Sequence, residues 1–331
     1  MLIMMNSVPK INGGIEMNAI RQLSIVISVY NEEAVLNTFY EHITPVLKGC
    51  DCDYELIFVN DGSKDASPAI LDRLASQSEK VKVVHFARNY GHEAAMIAGI
   101  DYSSGDGVIC MDADLQHPVE CIPQILEKFN EGYEVITMVR TANESAAAWK
   151  KITSRAFYKL LNKISEIRFD ENASDFFAMT RQPAEILKKH FRESNRFLRA
   201  YIQSVGFNKT TMEYQAHERA AGESKYNFKK LWKFSISALL SFSNLPLKIS
   251  TACGWCSAIV CFLCIIYTIA TKITTGTPSG YATIIVVMCF MFMVLFFLIG
   301  IIGEYLSVIL AEVRQRPIYI VKDTCNLEEK E

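Results

Sequence analysis

Gly107-Val108-Ile109-Cys110-Met111-Asp112-Ala113-Asp114-Leu115-Gln116-His117-Pro118 is the stretch from which the rest of this chain is read. Its first five residues are apolar and short enough for a strand buried on both faces, as in a parallel sheet. Pro118 then suits the first position of a new helix, where its missing N–H would have no partner anyway. Two carboxylates are therefore expected at the carboxyl end of a buried strand, where open α/β sheets bind their ligands. Asp112 and Asp114, with the side-chain oxygen of Gln116, offer the oxygen ligands that a hard divalent cation takes. An ordinary strand-end turn, in which Asp is common, competes with this reading when the triplet is taken alone.

Outward from this stretch, strand and helix patterns alternate. Leu23–Val29, Tyr54–Val59, Val81–Phe86, Val108–Met111 and Glu134–Val139 read as strands, and Asn31–Leu47, Asp65–Ser78, His92–Tyr102 and Pro118–Asn130 as helices. The alternation implies right-handed crossovers and an α/β fold with a mostly parallel sheet and helices on both faces. Four strand ends then converge on one edge: Tyr30-Asn31-Glu32-Glu33, Asn60-Asp61-Gly62-Ser63-Lys64-Asp65, Arg88-Asn89-Tyr90-Gly91-His92 and the Asp-Ala-Asp triplet. Asp61 can accept hydrogen bonds from a base or ribose, and Arg88 can neutralise phosphate. A cation on Asp112, Asp114 and Gln116 can bridge a diphosphate. No P-loop pattern occurs, so a Walker-type nucleotide site is excluded.

Charge divides the 331 residues unevenly. It is dense up to Lys248, then vanishes over Ile249–Thr271 and again, after Lys272, over Ile273–Gly303, whose apolar part begins at Tyr281. A bilayer core of roughly 30 Å needs about 20 apolar residues as helix, so two spans are expected, at 249–271 and 281–303. Gly276, Pro278 and Gly280 mark the turn of the hairpin. Arg219, Lys225, Lys229, Lys230, Lys233 and Lys248 precede the spans, and Arg314, Arg316 and Lys322 follow them, with Lys272 alone between. That asymmetry expects a multi-pass protein of the cell membrane with both ends and the large domain cytoplasmic. The first 22 residues hold no long apolar core, so no secretory signal is read there. The expected division is an N-terminal extension (1–22), an α/β domain (23–226), an amphipathic juxtamembrane segment (227–248), the two spans (249–310) and a cytoplasmic tail (311–331). With a net charge of −2, nucleic acid is not an expected partner.

Two amphipathic patterns stand apart. Trp149, Ile152, Phe157, Leu160 and Ile164 recur at helical spacing opposite Lys150, Lys151, Arg155, Lys159 and Lys163, which reads as a helix on the sheet with a solvated basic face. Phe228, Leu231, Trp232 and Leu239 face Lys229, Lys230 and Lys233 just before the first span, so an interfacial helix is favoured there. The Cys253-x2-Cys256 and Cys261-x2-Cys264 spacings fall inside an apolar span without histidine or acid nearby, so they read as small membrane-helix residues rather than a metal site.

Val29-Tyr30-Asn31-Glu32-Glu33, Asn60-Asp61-Gly62-Ser63-Lys64-Asp65 and Asp112-Ala113-Asp114-Leu115-Gln116, taken in order, resemble the family-2 glycosyltransferases of GT-A fold. Ala173-Ser174-Asp175-Phe176, Arg219-Ala220-Ala221-Gly222-Glu223-Ser224-Lys225-Tyr226, Ser241-Phe242-Ser243 and Arg316-Pro317-Ile318-Tyr319-Ile320 sharpen the likeness to the polyprenyl-phosphate subgroup, which includes bactoprenol glucosyltransferase and dolichol-phosphate mannose synthase. The resemblance implies inverting transfer of a sugar from a nucleotide sugar, read as a UDP-sugar, to a polyprenyl phosphate such as undecaprenyl phosphate. The product would be a lipid-linked sugar for cell-envelope glycan modification, and a homo-oligomer is implied as well.

By the same resemblance Tyr30, Asn31, Glu33, Asp61, Gly62, Arg88, Asp112, Ala113 and Asp114 would hold the donor, and Asp112, Asp114 and Gln116 the Mg2+ or Mn2+. Arg219, Ser224 and Lys225 would gather the acceptor phosphate, with Arg219 and Lys225 also acting in catalysis. Asp175 would lie beside the acceptor, where a catalytic base is often placed. Two positions depart from the pattern. Phe177 stands where relatives carry Arg, so one phosphate contact is expected to be missing or to be supplied elsewhere, by Arg181. Ser28 takes a slot often held by proline, with an expected effect on the strand end alone. The competing functions are a processive polysaccharide synthase, which would carry a Gln-x-x-Arg-Trp motif absent here, and a non-catalytic membrane scaffold.

Overall fold

The computed structural model describes residues 20–141, 173–193, 198–215, 245–275 and 280–327. Strands β1 (Gln22–Val29), β2 (Asp53–Asn60), β3 (Val81–Phe86), β4 (Gly107–Asp112) and β5 (Val135–Arg140) alternate with helices α1 (Leu36–Lys48), α2 (Ser67–Gln77), α3 (His92–Tyr102) and α4 (Ile122–Asn130). Next come β6 (Ala173–Thr180), α5 (Arg181–His190), α6 (Leu198–Ser204) and β7 (Lys209–Tyr214). Two long helices, α7 (Leu245–Thr275) and α8 (Tyr281–Val313), precede a last strand, β8 (Val321–Cys325).

The strands form one eight-stranded sheet in the order β7-β5-β6-β4-β1-β2-β3-β8. Pairs β1–β2, β1–β4, β2–β3 and β5–β7 are parallel, as the alternating pattern requires. Strand β1 shows why the sheet is buried on both faces. Leu23, Ile25, Ile27 and Val29 enter the core under α1 and α4, while Val26 points to the opposite cluster under α3. Each such side chain contributes about 1.5–3 kcal/mol by leaving water. Helix α3 can sit close to β1 because Gly99 lacks a side chain, and a Cβ there would come within 2.0 Å of Val26 Cγ1.

Two local expectations need correction. Helix α1 starts at Leu36 rather than Asn31, because Asn31 is left-handed (φ 56°) and cannot continue a helix. Helix α4 does not start at Pro118, which is extended (φ −68°, ψ 120°). A single tight turn, Val119–Cys121, intervenes, and Pro123 occupies the first turn of the helix instead. The tail supplies β8, which pairs antiparallel with β3 and gives the sheet its last strand.

Helix α8 contains a segment, Val286–Val313, long and apolar enough to cross a membrane. In α7 the described apolar stretch is shorter, Ser250–Cys264. Large side chains on both are exposed, among them Trp255, Phe262, Tyr267 and Phe296. The two basic amphipathic patterns, over 149–164 and 227–242, lie outside the described residues.

Candidate active site

The turn after β4 is built around backbone strain. Leu115 is left-handed (φ 63°), a conformation that costs a non-glycine residue about 1–3 kcal/mol. Leu115 is held by packing against the main core, and Asp114 Oδ1 accepts the Gln116 N–H at 3.1 Å. His117 closes the turn. Its Nδ1 accepts the backbone N–H of Asp112 at 2.9 Å, and its ring stacks on Phe176 with centroids 5.1 Å apart. Burial lowers its pKa, so the ring stays neutral and can act as that acceptor.

Strand β6 runs against β4, with Cys110 opposite Phe177. Two residues further along β4 is Asp112, and two residues earlier on β6 is Asp175. The reversal therefore carries a third carboxylate to the edge that holds the triplet. Asp175 is gripped by Arg199 of α6 through two hydrogen bonds, Nε to Oδ1 and Nη2 to Oδ2, each 2.6 Å. Between Asp175 and Asp112 stands His92, the first residue of α3. Its Nδ1 donates to Ser28 Oγ at 2.9 Å, and the Ser28 hydroxyl donates to Asp112 Oδ1 at 2.9 Å. Its Nε2 faces Asp175 Oδ2 at 3.6 Å.

Charge follows from this layout. Burial alone would raise the Asp175 pKa, but Arg199 and His92 hold it well below the usual carboxylate range. Burial alone would lower that of His92, yet Asp112 and Asp175 push it up to about 10. Glu93 beside it is raised to about 7, by burial and then by Asp175, and its Oε2 accepts the Leu198 N–H at 2.8 Å. A carboxylate as weakly basic as Asp175 is a poor proton acceptor. Its geometry instead suits holding a neighbouring group in place.

The second half of the edge, over β1, β2 and β3, opens a cavity of about 640 Å³. Tyr30, Gly62 and Arg88 line it, together with Ser63, Lys64, Lys322 and Asp323. Gly62 is left-handed (φ 65°), and a Cβ on it would lie 2.5 Å from the Arg88 carbonyl carbon, so this approach of two loops admits glycine alone. Asn31, Glu33 and Asp61 serve as braces behind the cavity. Asn31 Oδ1 accepts the Lys64 N–H at 2.8 Å, and Glu33 Oε2 accepts the Ala66 N–H at 2.7 Å. Asp61 is buried and accepts from Tyr90 N, Asn89 Nδ2 and Gly91 N at 2.6, 2.8 and 2.9 Å.

Asp112 fits a hard cation, because its side chain is partly exposed and its only hydrogen bond from a neighbouring side chain among the described residues reaches Oδ1. Ala113 is buried beneath the two acids. The Gln116 side-chain oxygen faces Arg140 Nη1 at 3.5 Å. Arg181 is corrected. It starts α5 at the opposite edge of the sheet, where its Nη1 donates to Ser103 O at 2.7 Å, and it cannot replace an arginine at position 177. Phe177 itself is buried in the core under α3 and α5. Ser28 does more than shape a strand end, since it joins His92 to Asp112. Arg219, Ser224 and Lys225 lie outside the described residues. Sequence reasoning missed His92 and Arg199; His92 stood in a quoted strand end, whereas Arg199 had no local signal.

Comparison with known proteins identifies the family. Residues 24–190 match the sequence model of the family described as Glycosyl transferase family 2. The chain is 38% identical over 310 residues to an uncharacterized glycosyltransferase of Bacillus subtilis, covering 93% of this chain and 96% of the relative. It is 37% identical to the SfII prophage-derived bactoprenol glucosyl transferase of Shigella flexneri, covering 91% and 97%. A bactoprenol glucosyl transferase of Shigella phage SfV is 37% identical as well, covering 91% and 98%.

Proposed function

The chain belongs to glycosyl transferase family 2 and is a glycosyltransferase, and from that premise we propose that it moves a sugar, with inversion, from a UDP-sugar to a polyprenyl phosphate at a membrane surface. The observation that carries the reading is the single sheet edge on which the cavity, the Asp112–Asp114 turn and the Asp175–Arg199 pair meet. Likeness to the bactoprenol glucosyl transferases over nine-tenths of both chains supports the lipid acceptor.

The nucleotide would occupy the cavity beside Tyr30, Gly62 and Arg88, with its diphosphate directed toward β4. Asp112 and Asp114 would hold Mg2+ or Mn2+, which as a Lewis acid neutralises the charge gathering on the departing diphosphate. The acceptor phosphate oxygen forms a bond to the anomeric carbon while the bond to the diphosphate oxygen breaks and the electron pair leaves with UDP. A phosphate monoester has a second pKa near 6, so the nucleophile is already ionised and little base catalysis is needed. Asp175, kept anionic by Arg199, then orients donor or acceptor rather than removing a proton. Arg219, Ser224 and Lys225, between the catalytic domain and the juxtamembrane segment, would hold the lipid phosphate.

The sheet itself supports the membrane hairpin. Strands β1–β7 precede α7 and α8, and β8 follows them, yet all eight hydrogen-bond in one sheet. The two flanks of the helical pair therefore share one side of any bilayer, so if α8 crosses, α7 must cross too. At 31 residues α7 is roughly 46 Å long, ample for a core of about 30 Å. Both flanks would be cytoplasmic and the protein multi-pass in the cell membrane, with the division at 23–226, 227–248, 249–310 and 311–331 read from the sequence. An impermeant thiol reagent added to intact cells should label a cysteine placed at Ser279 and spare Cys52; the reverse pattern would overturn the orientation.

Purified protein incubated with a panel of UDP-sugars and undecaprenyl phosphate should form a glycosylated lipid only with divalent cation. Charged hydrogen bonds are worth about 1.5–3 kcal/mol each, so Lys225→Ala should slow transfer about ten- to a hundredfold. Nucleotide binding should change far less. Wild-type transfer by this variant would remove Lys225 from the acceptor site.

A further inference from the structure

The outermost strand of the sheet comes from beyond both long helices, and it is firmly anchored. Val83, Val84 and His85 pair with Cys325, Thr324 and Asp323, and the Ala87 N–H donates to Ile320 O at 3.0 Å. Ahead of the strand, Tyr319 stacks on Phe86 with centroids 5.1 Å apart and donates its hydroxyl hydrogen to Asp101 at 2.7 Å. After it, the Asn326 amide reaches the carbonyl oxygens of Ala75 and Val81, each at 2.8 Å.

Asp72, His85 and Cys325 meet at this seam with spacing that a metal ion could use. The hydrogen bonds assign them another role. Ser63 N–H donates to Asn60 Oδ1 at 3.0 Å, which turns Asn60 Nδ2 toward His85 Nδ1 at 2.9 Å. The imidazole therefore accepts at Nδ1 and donates from Nε2 to Asp72 at 3.0 Å, leaving no lone pair for a metal. The Cys325 thiol reaches the same Asp72 oxygen at 3.5 Å. A continuous chain thus links the tail strand to the Asn60–Ser63 loop at the cavity.

The register also sets Lys322 and Asp323 on the cavity wall, both exposed, in a lining shared with Tyr30 and Arg88. A nucleoside presents N–H and hydroxyl donors that need an acceptor, and carbonyl and phosphate oxygens that favour cations. Asp61 is buried, with three donors already on its carboxylate. Asp72 also lines the cavity, but its Oδ1 is engaged by His85 and Cys325. Asp323 is the other exposed carboxylate on this wall, its Oδ1 accepting the Thr324 N–H at 2.9 Å, and Lys322 adds a cation to Lys64 and Arg88.

We propose that the C-terminal strand is the outer wall of the donor pocket, and that Asp323 and Lys322 contact the nucleotide directly. The proposal rests on reading this cavity as the nucleotide site. Asp323 would accept from the base or ribose, and Lys322 would donate to the nucleotide's oxygens. The membrane-spanning region and the donor pocket would then be joined through the chain, with Gln315, Arg316, Pro317, Ile318, Tyr319 and Ile320 as the connection.

Titration calorimetry of the full-length protein with UDP and Mn2+ tests this. Lys322→Ala and Asp323→Ala should each weaken UDP binding about tenfold, in line with the loss of one charged hydrogen bond. Lys322→Arg should retain binding, and the thermal midpoint of each variant should match wild type because both side chains are exposed. Arg88→Ala reports on the pocket independently. If wild-type protein does not bind UDP, or Arg88→Ala binds it unchanged, the cavity is not the nucleotide site and the proposal falls with it. If Arg88→Ala weakens binding while Lys322→Ala and Asp323→Ala match wild type, the tail proposal alone is overturned.

Discussion

Asp112→Asn should lower sugar transfer by about a hundred- to a thousandfold, the range seen when one electrostatic contact to developing charge is removed. Excess EDTA should do the same to the wild-type protein. The substitution keeps the shape of the side chain, and its amide oxygen can still accept the Ser28 hydroxyl that reaches Asp112 Oδ1 at 2.9 Å. The backbone N–H of residue 112 can still donate to His117 Nδ1. The fold should therefore survive, and circular dichroism with a thermal melt would check it. What is lost is the negative charge that neutralises a divalent cation beside the leaving diphosphate. Binding of Mn2+, followed by electron paramagnetic resonance, should weaken in parallel with turnover. Undiminished transfer in EDTA would reject a metal-dependent mechanism.

Arg199→Met should reduce turnover about a hundredfold while leaving the affinity for UDP nearly unchanged. Arg199 holds Asp175 through two hydrogen bonds and is not among the residues that line the cavity, and Met keeps much of its length and apolar stem. Without the guanidinium, Asp175 loses the partner that chiefly offsets its burial, so its pKa must rise from far below the usual carboxylate range. The sign is definite. In wild-type protein Asp175 stays ionised throughout the ordinary assay range and contributes no acid limb to the rate profile. In the variant a limb should enter from the acid side, with activity falling as pH falls through the raised pKa. Arg199→Lys restores a charge without the two-pronged geometry and should recover part of the rate. A variant with wild-type turnover and no new limb would show that Asp175 does not depend on Arg199.

The apolar runs that became β1 to β5 and the helices between them were legible because each carries its own period and its own punctuation. The Asp-Ala-Asp turn was legible for the same reason, since a short apolar run ending in acids is a local signal. The start of α1 was not, because the left-handed Asn31 depends on its N–H donating to Ser63 Oγ and its Oδ1 accepting the Lys64 N–H, both more than thirty positions away. The reach of Arg140 to the Gln116 side chain was not legible either, being likewise a contact between separate elements.

By itself, then, the sequence determined the alternating α/β half, the polar edge at its strand ends, and two uncharged stretches of spanning length. These follow from side-chain period, turn chemistry and the absence of charge, all of which act over neighbouring residues. Only the tertiary structure decided that β6 turns back between β4 and β5, which carries Asp175 to the triplet, and that Arg199 closes on it. It alone decided that the tail crosses from the long helices to become β8 beside β3. Strand order and antiparallel insertion are set by which edge is left unpaired once the central strands have formed. That depends on contacts between segments far apart in the chain, for which no run of neighbouring residues carries a signal.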